Sequence, residues 1–355
     1  MRVLHVIQEF GVGGAERVVL ALCEGAGNAG HLSAIAAAPG PLGVGSDIPQ
    51  FPLPLIERRP WRLVGGALGL HRAVRRWRPD IVHCHNPGMA TLAALPTRRG
   101  RRPAGLVSVH GVPEEDDRAA AAVLRVAGLP VIACGPGVAT ALAERGVRVH
   151  STIVNGVSDP PSPGDRTALT TSWGIRKDRP MVVSVGRLEA QKNHRLAIEA
   201  MVHVPGVSLV ILGEGRLRDQ LETLVTRLGL GDRVLLPGAR PDARAVMAAA
   251  DAVVLPSVWE GLPLVALEAL SAGTPLIATA VRGVRELLTD GADAVLVAPD
   301  DAVALAEGIR RVLEDVDLSK SLVSAGRLTA SSYSESAMVE RFLELYSQMG
   351  LRQRP

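Results

Sequence analysis

Short apolar runs alternate with longer segments of helical spacing along nearly the whole chain. Runs rich in Val, Ile, Leu and Ala predict strands at residues 3–7, 34–38, 81–84, 106–109, 181–185, 207–213, 234–237, 252–255, 275–279 and 295–297. Apolar positions three and four apart predict helices at residues 15–26, 62–77, 88–95, 194–202, 262–272 and 334–349, with others up to about residue 327. This repeated alternation is typical of an α/β protein with parallel, doubly wound sheets.

A stretch rich in Pro, Ser, Gly and Asp divides the chain at residues 158–165 and indicates a linker. The 355 residues are enough for two domains of ordinary size. We therefore expect two Rossmann-like domains, at residues 1–158 and 159–332, followed by a C-terminal helix within residues 333–355.

A glycine-rich loop follows the first predicted strand and leads into a helix. Gly13 and Gly14 in this loop predict either a phosphate-binding unit or a tight turn with no ligand. Glu16 stands where the dinucleotide fingerprint requires its third Gly, so the sequence argues against a nicotinamide-dependent enzyme.

Polar residues also end two later strands of the first half, at the sheet edge where doubly wound proteins bind ligands. His85 and Asn86 follow the strand at residues 81–84, and His110 follows the strand at residues 106–109. All three are candidate site residues, whereas His83 is more typical of an ordinary hydrogen-bonded histidine. Asn155, near the linker, fits either a simple turn or a residue that borders the site.

Cations and carboxylates follow the strands of the second half. Arg187 comes directly after residues 181–185, and Lys192 follows five residues later, so both can contact phosphate oxygens. Glu260 and Glu268 flank a predicted helix start, where Pro263 suits the first turn. The backbone amides of the next residues, 264 and 265, are then available to an anion or a sugar oxygen.

These motifs resemble retaining glycosyltransferases of the GT-B type, family 4. The resemblance is strongest at residues 260–265 (Glu-Gly-Leu-Pro-Leu-Val), with Glu268 and the Ala-Gly-Thr-Pro of residues 272–275. Further similar segments are Gly-Gly-Ala-Glu-Arg at 13–17, Ser-Val-His-Gly at 108–111, Asn-Gly-Val at 155–157, Val-Gly-Arg-Leu-x-x-x-Lys-Asn at 185–193, and Gly-x-x-Glu at 283–286.

The resemblance implies two facing Rossmann-like domains with a cleft between them, and it implies roles for individual residues. The catalytic residues would be His110, Arg187, Lys192 and Glu260. The donor-binding residues would be Gly13, Gly14, Gly186, Gly238, Arg240, Gly261, Leu262, Leu264, Val265 and Glu268. Candidates on the acceptor side are Glu16, His85, Asn86 and Asn155.

The implied reaction moves a hexosyl group from a nucleoside diphosphate sugar to a hydroxyl acceptor, with retention of configuration. Uridine diphosphate sugars are the favoured donors, followed by guanosine diphosphate mannose, and a glycan, lipid-linked or small-molecule acceptor would fit. No Asp-x-Asp pair lies near the motifs, so we expect neither a metal nor another cofactor. The alternatives are a nucleotide-sugar epimerase of the same fold and a non-catalytic nucleotide-sugar binding protein.

Composition and charge limit the partners and the compartment. Hydrophobic residues make up 47% of the chain, and no run approaches the roughly 20 apolar residues of a membrane span. The three cysteines are far apart and the start of the chain is too short for a signal peptide core, so a reducing cytoplasm is expected.

The net charge of +3 is unevenly distributed, because residues 1–158 contain 17 Lys and Arg against 11 Asp and Glu. Arginines are frequent at residues 58–78 and 98–102, where Trp61 and Trp77 accompany them. This basic surface predicts either a solvated helix face or contact with the inner face of a membrane. Nucleic acid is not an expected partner, since aromatic residues are only 3% of the chain.

Overall fold

The computed structural model describes residues 1–11, 13–43, 45–56, 60–94, 97, 103–112 and 116–351. They form two compact units: Met1–Gly156 together with the chain from Glu335 onward, and Val157–Ser334. The predicted boundaries, after residues 158 and 332, lie two residues from these divisions. Six arginines of the predicted basic surface lie outside the described residues: Arg58, Arg59, Arg98, Arg99, Arg101 and Arg102.

The first unit contains a parallel sheet of seven described strands. They are β1 (Arg2–Glu9), β2 (Leu32–Ala38), β3 (Gln50–Pro52), β4 (Ile81–Cys84), β5 (Ala104–Val109), β6 (Val131–Ala133) and β7 (Val149–Thr152), in the order β3-β2-β1-β4-β5-β6-β7. The connecting helices are α1 (Gly14–Asn28), α2 (Pro60–Trp77), α3 (Pro87–Ala93), α4 (Asp117–Ala127) and α5 (Pro136–Glu144). The strand order reverses between β1 and β4, where His5 is in register with His83. This reversal opens the crevice in which such sheets bind ligands.

Helices cover both faces of this sheet, which explains why its central strands read as apolar runs. On one face Leu4, Val82 and Val107 pack with Leu70 of α2. On the other face Ile7 and Ile35 pack with Val19 and Cys23 of α1.

The second unit repeats this architecture with six described parallel strands. They are β8 (Met181–Val185), β9 (Ser208–Leu212), β10 (Val234–Gly238), β11 (Ala252–Leu255), β12 (Leu276–Thr279) and β13 (Val295–Val297), in the order β10-β9-β8-β11-β12-β13. Its helices are α6 (Arg166–Ser172), α7 (His194–Ala200), α8 (Arg218–Arg227), α9 (Ala243–Ala248), α10 (Leu264–Ala272), α11 (Arg282–Leu287), α12 (Ala302–Glu314) and α13 (Val316–Ser331). The order reverses between β8 and β11. The predicted α/β class with two doubly wound parallel sheets is confirmed.

The last helix, α14 (Glu335–Leu351), belongs to the first unit and contacts α1 and β4. Phe342 and Tyr346 are its largest buried side chains, and both rings contact the His83 ring. In the described part of the chain, no helix combines the length and apolar character needed to cross a membrane.

The predicted start of α10 is wrong. Helix α10 begins at Leu264, and Pro263 is its extended N-cap residue instead of lying in the first turn. Helix α8 begins at Arg218, after a loop that contains Gly213 and Gly215. The backbone of Gly215 lies so close to Leu188 that an added Cβ would be 2.5 Å from the Leu188 carbonyl oxygen, which keeps this segment in the loop.

Candidate active site

In the second unit, the loops after β8 and β11 are joined by hydrogen bonds. A short 3₁₀ helix, Ala190–Lys192, follows β8. The Gln191 carbonyl accepts a hydrogen bond of 2.9 Å from the Val258 amide, and the Gln191 side chain donates to the Trp259 carbonyl at 3.2 Å. The two loops that carry most of the predicted donor site are therefore held together at the point where the strand order reverses.

Lys192 and Glu260 form a buried ion pair between these loops. Lys192 Nζ lies 2.6 Å from Glu260 Oε1, and the two side chains are only 15% and 6% exposed. The Ser257 hydroxyl donates to the same carboxylate oxygen at 2.6 Å. Two predicted catalytic residues are thus in contact, although 68 positions separate them. Ser257 is a third member that the sequence did not indicate.

The Arg187 side chain is exposed and has no hydrogen bond or ion pair with another described residue. Arg187 follows Gly186, which packs against Lys192, since a Cβ added at Gly186 would lie 3.0 Å from the Lys192 side chain. The backbone carbonyl of Gly186 hydrogen-bonds to Nε2 of His194 at 3.2 Å, and Nδ1 of His194 bonds to the Ser184 hydroxyl at 3.1 Å. Burial lowers the pKa of His194 to about 4. Its neutral ring therefore holds the Gly186 backbone in place through a hydrogen bond.

The N-terminus of α10 supplies backbone donors beside the ion pair. The first helical amide that donates to a described backbone carbonyl is that of Ala266, which bonds to the Pro263 carbonyl at 3.0 Å. The amides of Leu264 and Val265 have no acceptor among the described residues, as expected at a helix start. Glu268 lies one turn further along and is 5% exposed.

Close backbone packing shapes the rest of this region. A Cβ at Gly283 would lie 2.3 Å from the Gly261 carbonyl oxygen and 2.4 Å from that of Glu260. The loop containing Glu260, Gly261 and Leu262 therefore rests directly on helix α11. This contact gives a physical reason for Gly at position 283 in the Gly-x-x-Glu segment.

The Arg240 side chain has partners within its own unit. It forms two 2.7 Å hydrogen bonds with the Asp242 carboxylate and lies 5.4 Å from the centroid of the Trp173 ring. Gly238, two residues earlier, has a φ of +95° and its Cα faces the Glu214 carboxylate. The guanidinium of Arg240 is thus already hydrogen-bonded within the second unit.

In the first unit, a carboxylate covers the start of α1. Gly13 is the N-cap residue, and a Cβ there would lie 2.5 Å from an oxygen of Glu16. The Glu16 carboxylate stabilises the positive end of the helix from this position. Gly13 and Gly14, both predicted donor-binding residues, therefore lie beside a carboxylate.

Histidines in or directly after three neighbouring strands are linked through their ring nitrogens. Nδ1 of His5 lies 3.0 Å from Nε2 of His85, and Nδ1 of His85 lies 3.2 Å from Nε2 of His110. Nδ2 of Asn155 donates to Nδ1 of His110 at 3.4 Å. The structure therefore brings three predicted residues together and adds His5, which the sequence analysis did not single out.

His83 is hydrogen-bonded separately from this chain. Its Nδ1 lies 2.6 Å from the Tyr346 hydroxyl and its Nε2 lies 2.7 Å from the Ser108 hydroxyl. Asn86 also has a structural role, because its side-chain oxygen accepts a hydrogen bond of 2.9 Å from the Met89 amide and caps α3.

Burial keeps these histidines neutral near pH 7. Desolvation lowers the pKa of His5 to about 3 and that of His110 to about 4. The pKa values of His83 and His85 are also well below the ordinary value, first through desolvation and then through neighbouring histidines.

Two protein-family models match the chain. The model described as Glycosyltransferase Family 4 matches residues 12–159, and the model described as Glycosyl transferases group 1 matches residues 165–329. Each covers one half, so together they span most of the sequence.

Individual relatives agree with these matches. EpsD of Bacillus subtilis (strain 168) is 29% identical in an alignment of 316 positions that covers 78% of this chain and 79% of EpsD. The lipopolysaccharide core biosynthesis glycosyltransferase LpsE of Rhizobium meliloti (strain 1021) is 35% identical over 182 residues, which are 51% of this chain and 52% of LpsE. The match thus spans about half the length of LpsE.

Solved structures share the fold. HepE of Anabaena, in complex with UDP and glucose, has a TM-score of 0.85 and 23% sequence identity, and the match covers 98% of this chain and 100% of HepE.

Proposed function

Because the chain belongs to the GT-B glycosyltransferases of family 4 type, we propose that it transfers a hexosyl group from a nucleoside diphosphate sugar to a hydroxyl acceptor with retention of configuration. The observation that supports this most is the buried contact of Lys192 with Glu260 beside an exposed Arg187 and the start of α10. These groups offer mobile positive charge and backbone donors at one end of the second sheet.

The donor would bind mainly to the second unit. A diphosphate competes with Glu260 for Lys192, and Arg187 and the amides of Leu264 and Val265 add further donors. When Lys192 moves to the phosphate, the Glu260 carboxylate is free to accept hydrogen bonds from sugar hydroxyls. The buried Glu268 would similarly accept from the ribose hydroxyls.

Charge development explains how these residues would accelerate transfer. As the bond between the sugar and the diphosphate breaks, negative charge grows on the leaving phosphate, and Lys192 and Arg187 stabilise it. The proposed retention follows if the acceptor attacks from the face that the phosphate leaves, with the phosphate taking the hydroxyl proton. The protein's own cations supply the neutralising charge, so the proposal includes no metal.

UDP is the favoured nucleotide, in line with the UDP and glucose bound in HepE. The first unit would hold the acceptor, where Glu16 and the histidine chain provide acceptors for hydroxyl groups. LpsE acts in lipopolysaccharide core biosynthesis, which makes a lipid-linked acceptor one fitting choice.

A donor panel tests the function directly. UDP-glucose, UDP-galactose, UDP-N-acetylglucosamine and GDP-mannose are each incubated with the protein, and release of the nucleoside diphosphate is measured with and without candidate acceptors. We expect at least one donor to be hydrolysed slowly alone and faster with an acceptor. A new nucleotide sugar formed without acceptor would instead indicate an epimerase, and binding with no turnover of any donor would indicate a binding protein. Inverted configuration in the product would contradict retention.

We also propose that α2 contacts anionic membranes. Val64 and Leu68 on this helix are 63% and 51% exposed, and exposed Arg72, Arg75 and Arg76 follow them. The helix contains no acidic residue, so an anionic bilayer would meet apolar groups flanked by cations.

Sedimentation with phosphatidylglycerol vesicles tests this contact. We expect binding at low salt that weakens at high salt, and that Leu68→Asp reduces it. The control is Val126→Asp, because Val126 is 85% exposed on α4 and should not matter. Equal binding to neutral vesicles, or binding unaffected by Leu68→Asp, would rule out the proposed surface.

A further inference from the structure

Three imidazoles in the first unit form one continuous hydrogen-bonded chain. His5 lies in β1, His85 follows β4 and His110 follows β5, so three adjacent strands each contribute one ring. The nitrogen-to-nitrogen distances are 3.0 and 3.2 Å. The His85 and His110 rings are stacked at an interplanar angle of 5°. His5 and His85 are fully buried, whereas His110 is partly exposed.

A chain of neutral imidazoles has only two consistent proton arrangements. Each neutral ring has one N–H donor and one lone pair. If His110 donates from Nε2, His85 must accept at Nδ1 and donate from Nε2 to His5; if one ring changes tautomer, the others must change with it. The two ends of the chain therefore decide the proton position on every ring.

The outer end favours protonation at Nε2 throughout. At the outer end, Nδ2 of Asn155 donates to Nδ1 of His110, which leaves the proton of His110 on Nε2. At the inner end, Nδ1 of His5 then accepts, and Nε2 of His5 carries the last proton. That atom is buried and has no hydrogen-bond partner among the described residues. An apolar side chain at position 5 would avoid the unpaired group, so stability alone does not explain a histidine there.

We propose that His5 and His85 are positioning residues that hold His110 in its Nε2–H tautomer, so that Nδ1 of His110 offers a lone pair to a substrate hydroxyl. This inference rests on the proposed transferase function. The Asn155 contact, at 3.4 Å, is the longest in the chain, so a hydroxyl can replace it. The lone pair then accepts from that hydroxyl and orients its oxygen, while the ring stays neutral.

A metal site would be the alternative use of these residues. Ligand atoms of His5, His83 and His85 all lie within 4.8 Å of one another. Both nitrogens of His83, however, are hydrogen-bonded to Tyr346 and Ser108, and both nitrogens of His85 belong to the chain. A metal would have to break several of these contacts, which favours the hydrogen-bonded chain.

The proton positions can be measured without substrate. Long-range ¹H–¹⁵N spectra of the full-length protein labelled at histidine nitrogen, at pH 7.5, should show His5, His85 and His110 all protonated at Nε2. In His5→Phe, His85 loses its acceptor, and we expect mixed tautomers at His85 and His110. A proton on Nδ1 of His110 in the wild type, unchanged tautomers in His5→Phe, or stoichiometric metal bound at these histidines would each overturn the proposal.

Kinetics then test whether the tautomer matters. With a donor established as above, we expect His5→Phe to lower kcat about tenfold with KM for the donor nearly unchanged, as loss of a transition-state contact does. His5→Asn should recover most of the rate, because an amide oxygen can replace Nδ1 as acceptor. The matched control is Tyr346→Phe, which removes the partner of His83, outside the chain, and should leave kcat within about twofold.

Two kinetic results would refute the role of His5. One is an equal loss of kcat in Tyr346→Phe, and the other is a failure of His5→Asn to recover activity in a folded protein. If no donor is turned over by the wild type, the transferase proposal fails, and the spectra still decide whether the chain exists.

Discussion

Lys192 and Glu260 show how much depends on one side-chain contact. Their 2.6 Å ion pair lies almost out of solvent, so each residue's charge is compensated mainly by the other. We predict that Lys192→Ala lowers kcat about 30-fold, because the leaving phosphate loses a charged hydrogen bond of about 2 kcal/mol. It should also lower the melting temperature, since Glu260 remains buried without its cation. Steady-state kinetics and thermal unfolding measure the two effects.

Lys177→Ala is the control for this residue-scale prediction, because Lys177 is exposed and lies outside the site. It should change neither kcat nor the melting temperature. A Lys192→Ala enzyme with wild-type kcat at saturating donor would show that the cation has no part in stabilising the leaving group.

At the scale of elements, the contact between helix α11 and the Glu260 loop sets the position of the carboxylate. A Cβ at Gly283 would be 2.3 Å from the Gly261 carbonyl oxygen, and backbone cannot yield as a flexible side chain can. We therefore predict that Gly283→Ala displaces the loop, weakens donor binding about tenfold or more and destabilises the unit by about 1–3 kcal/mol. Titration calorimetry with UDP measures the donor affinity, and urea unfolding measures the stability.

Gly206→Ala is the control for this prediction, since nothing lies within 4 Å of a Cβ there. Equal effects of both substitutions would contradict the explanation.

At the scale of the whole molecule, the buried histidines make the first unit sensitive to acid. The pKa of His5 falls from 6.5 when unfolded to about 3 when folded, so the unfolded chain binds the proton first. Stability is therefore complete above pH 6.5 and is lost as the pH falls toward 3. At pH 5, the lowered pKa of His5 alone reduces the free energy of unfolding by about 2 kcal/mol relative to its value at high pH. His83, His85 and His110 act in the same direction.

Hydrogen exchange followed by mass spectrometry, corrected for intrinsic rates, can resolve this loss by unit. Between pH 7.5 and 5, protection should fall more in strands β1, β4 and β5 than in β8 and β11. The first unit has four histidines with lowered pKa values, whereas His194 is the one such histidine among the described residues of the second unit. His5→Phe should reduce the pH dependence. Equal losses in both units would contradict this assignment.

The central elements were predictable because their signals are local. Strands β4, β8, β11 and β13 begin and end where predicted, since each is a short, mainly apolar run, and the first three are bounded by polar residues, Gly or Pro. Strand β3 was missed, because Gln50–Pro52 contains a single apolar side chain beside a proline and lies at the sheet edge. The start of α10 was misplaced, because proline is compatible with both the N-cap and the first turn.

The candidate site was predictable as residue types but not as contacts. Lys192 was expected near a phosphate and Glu260 was expected as a catalytic residue, yet their mutual ion pair joins residues 68 positions apart. His5 gave no signal of its own, because a single histidine inside an apolar strand does not reveal which ring it will face. Register with β4 brings it opposite His83 and within hydrogen-bonding distance of His85.

The sequence by itself determined the alternation of strands and helices, the two-unit organisation and the chemistry available after each strand, because these depend on spacings of a few residues. Only the tertiary structure decided that Glu260 pairs with Lys192, that the Glu16 carboxylate lies at the start of α1, and that three histidines form one hydrogen-bonded chain. The reason is geometric: parallel strand order places the ends of distant segments side by side, and the hydrogen bonds formed there depend on distances between atoms that periodicity does not specify.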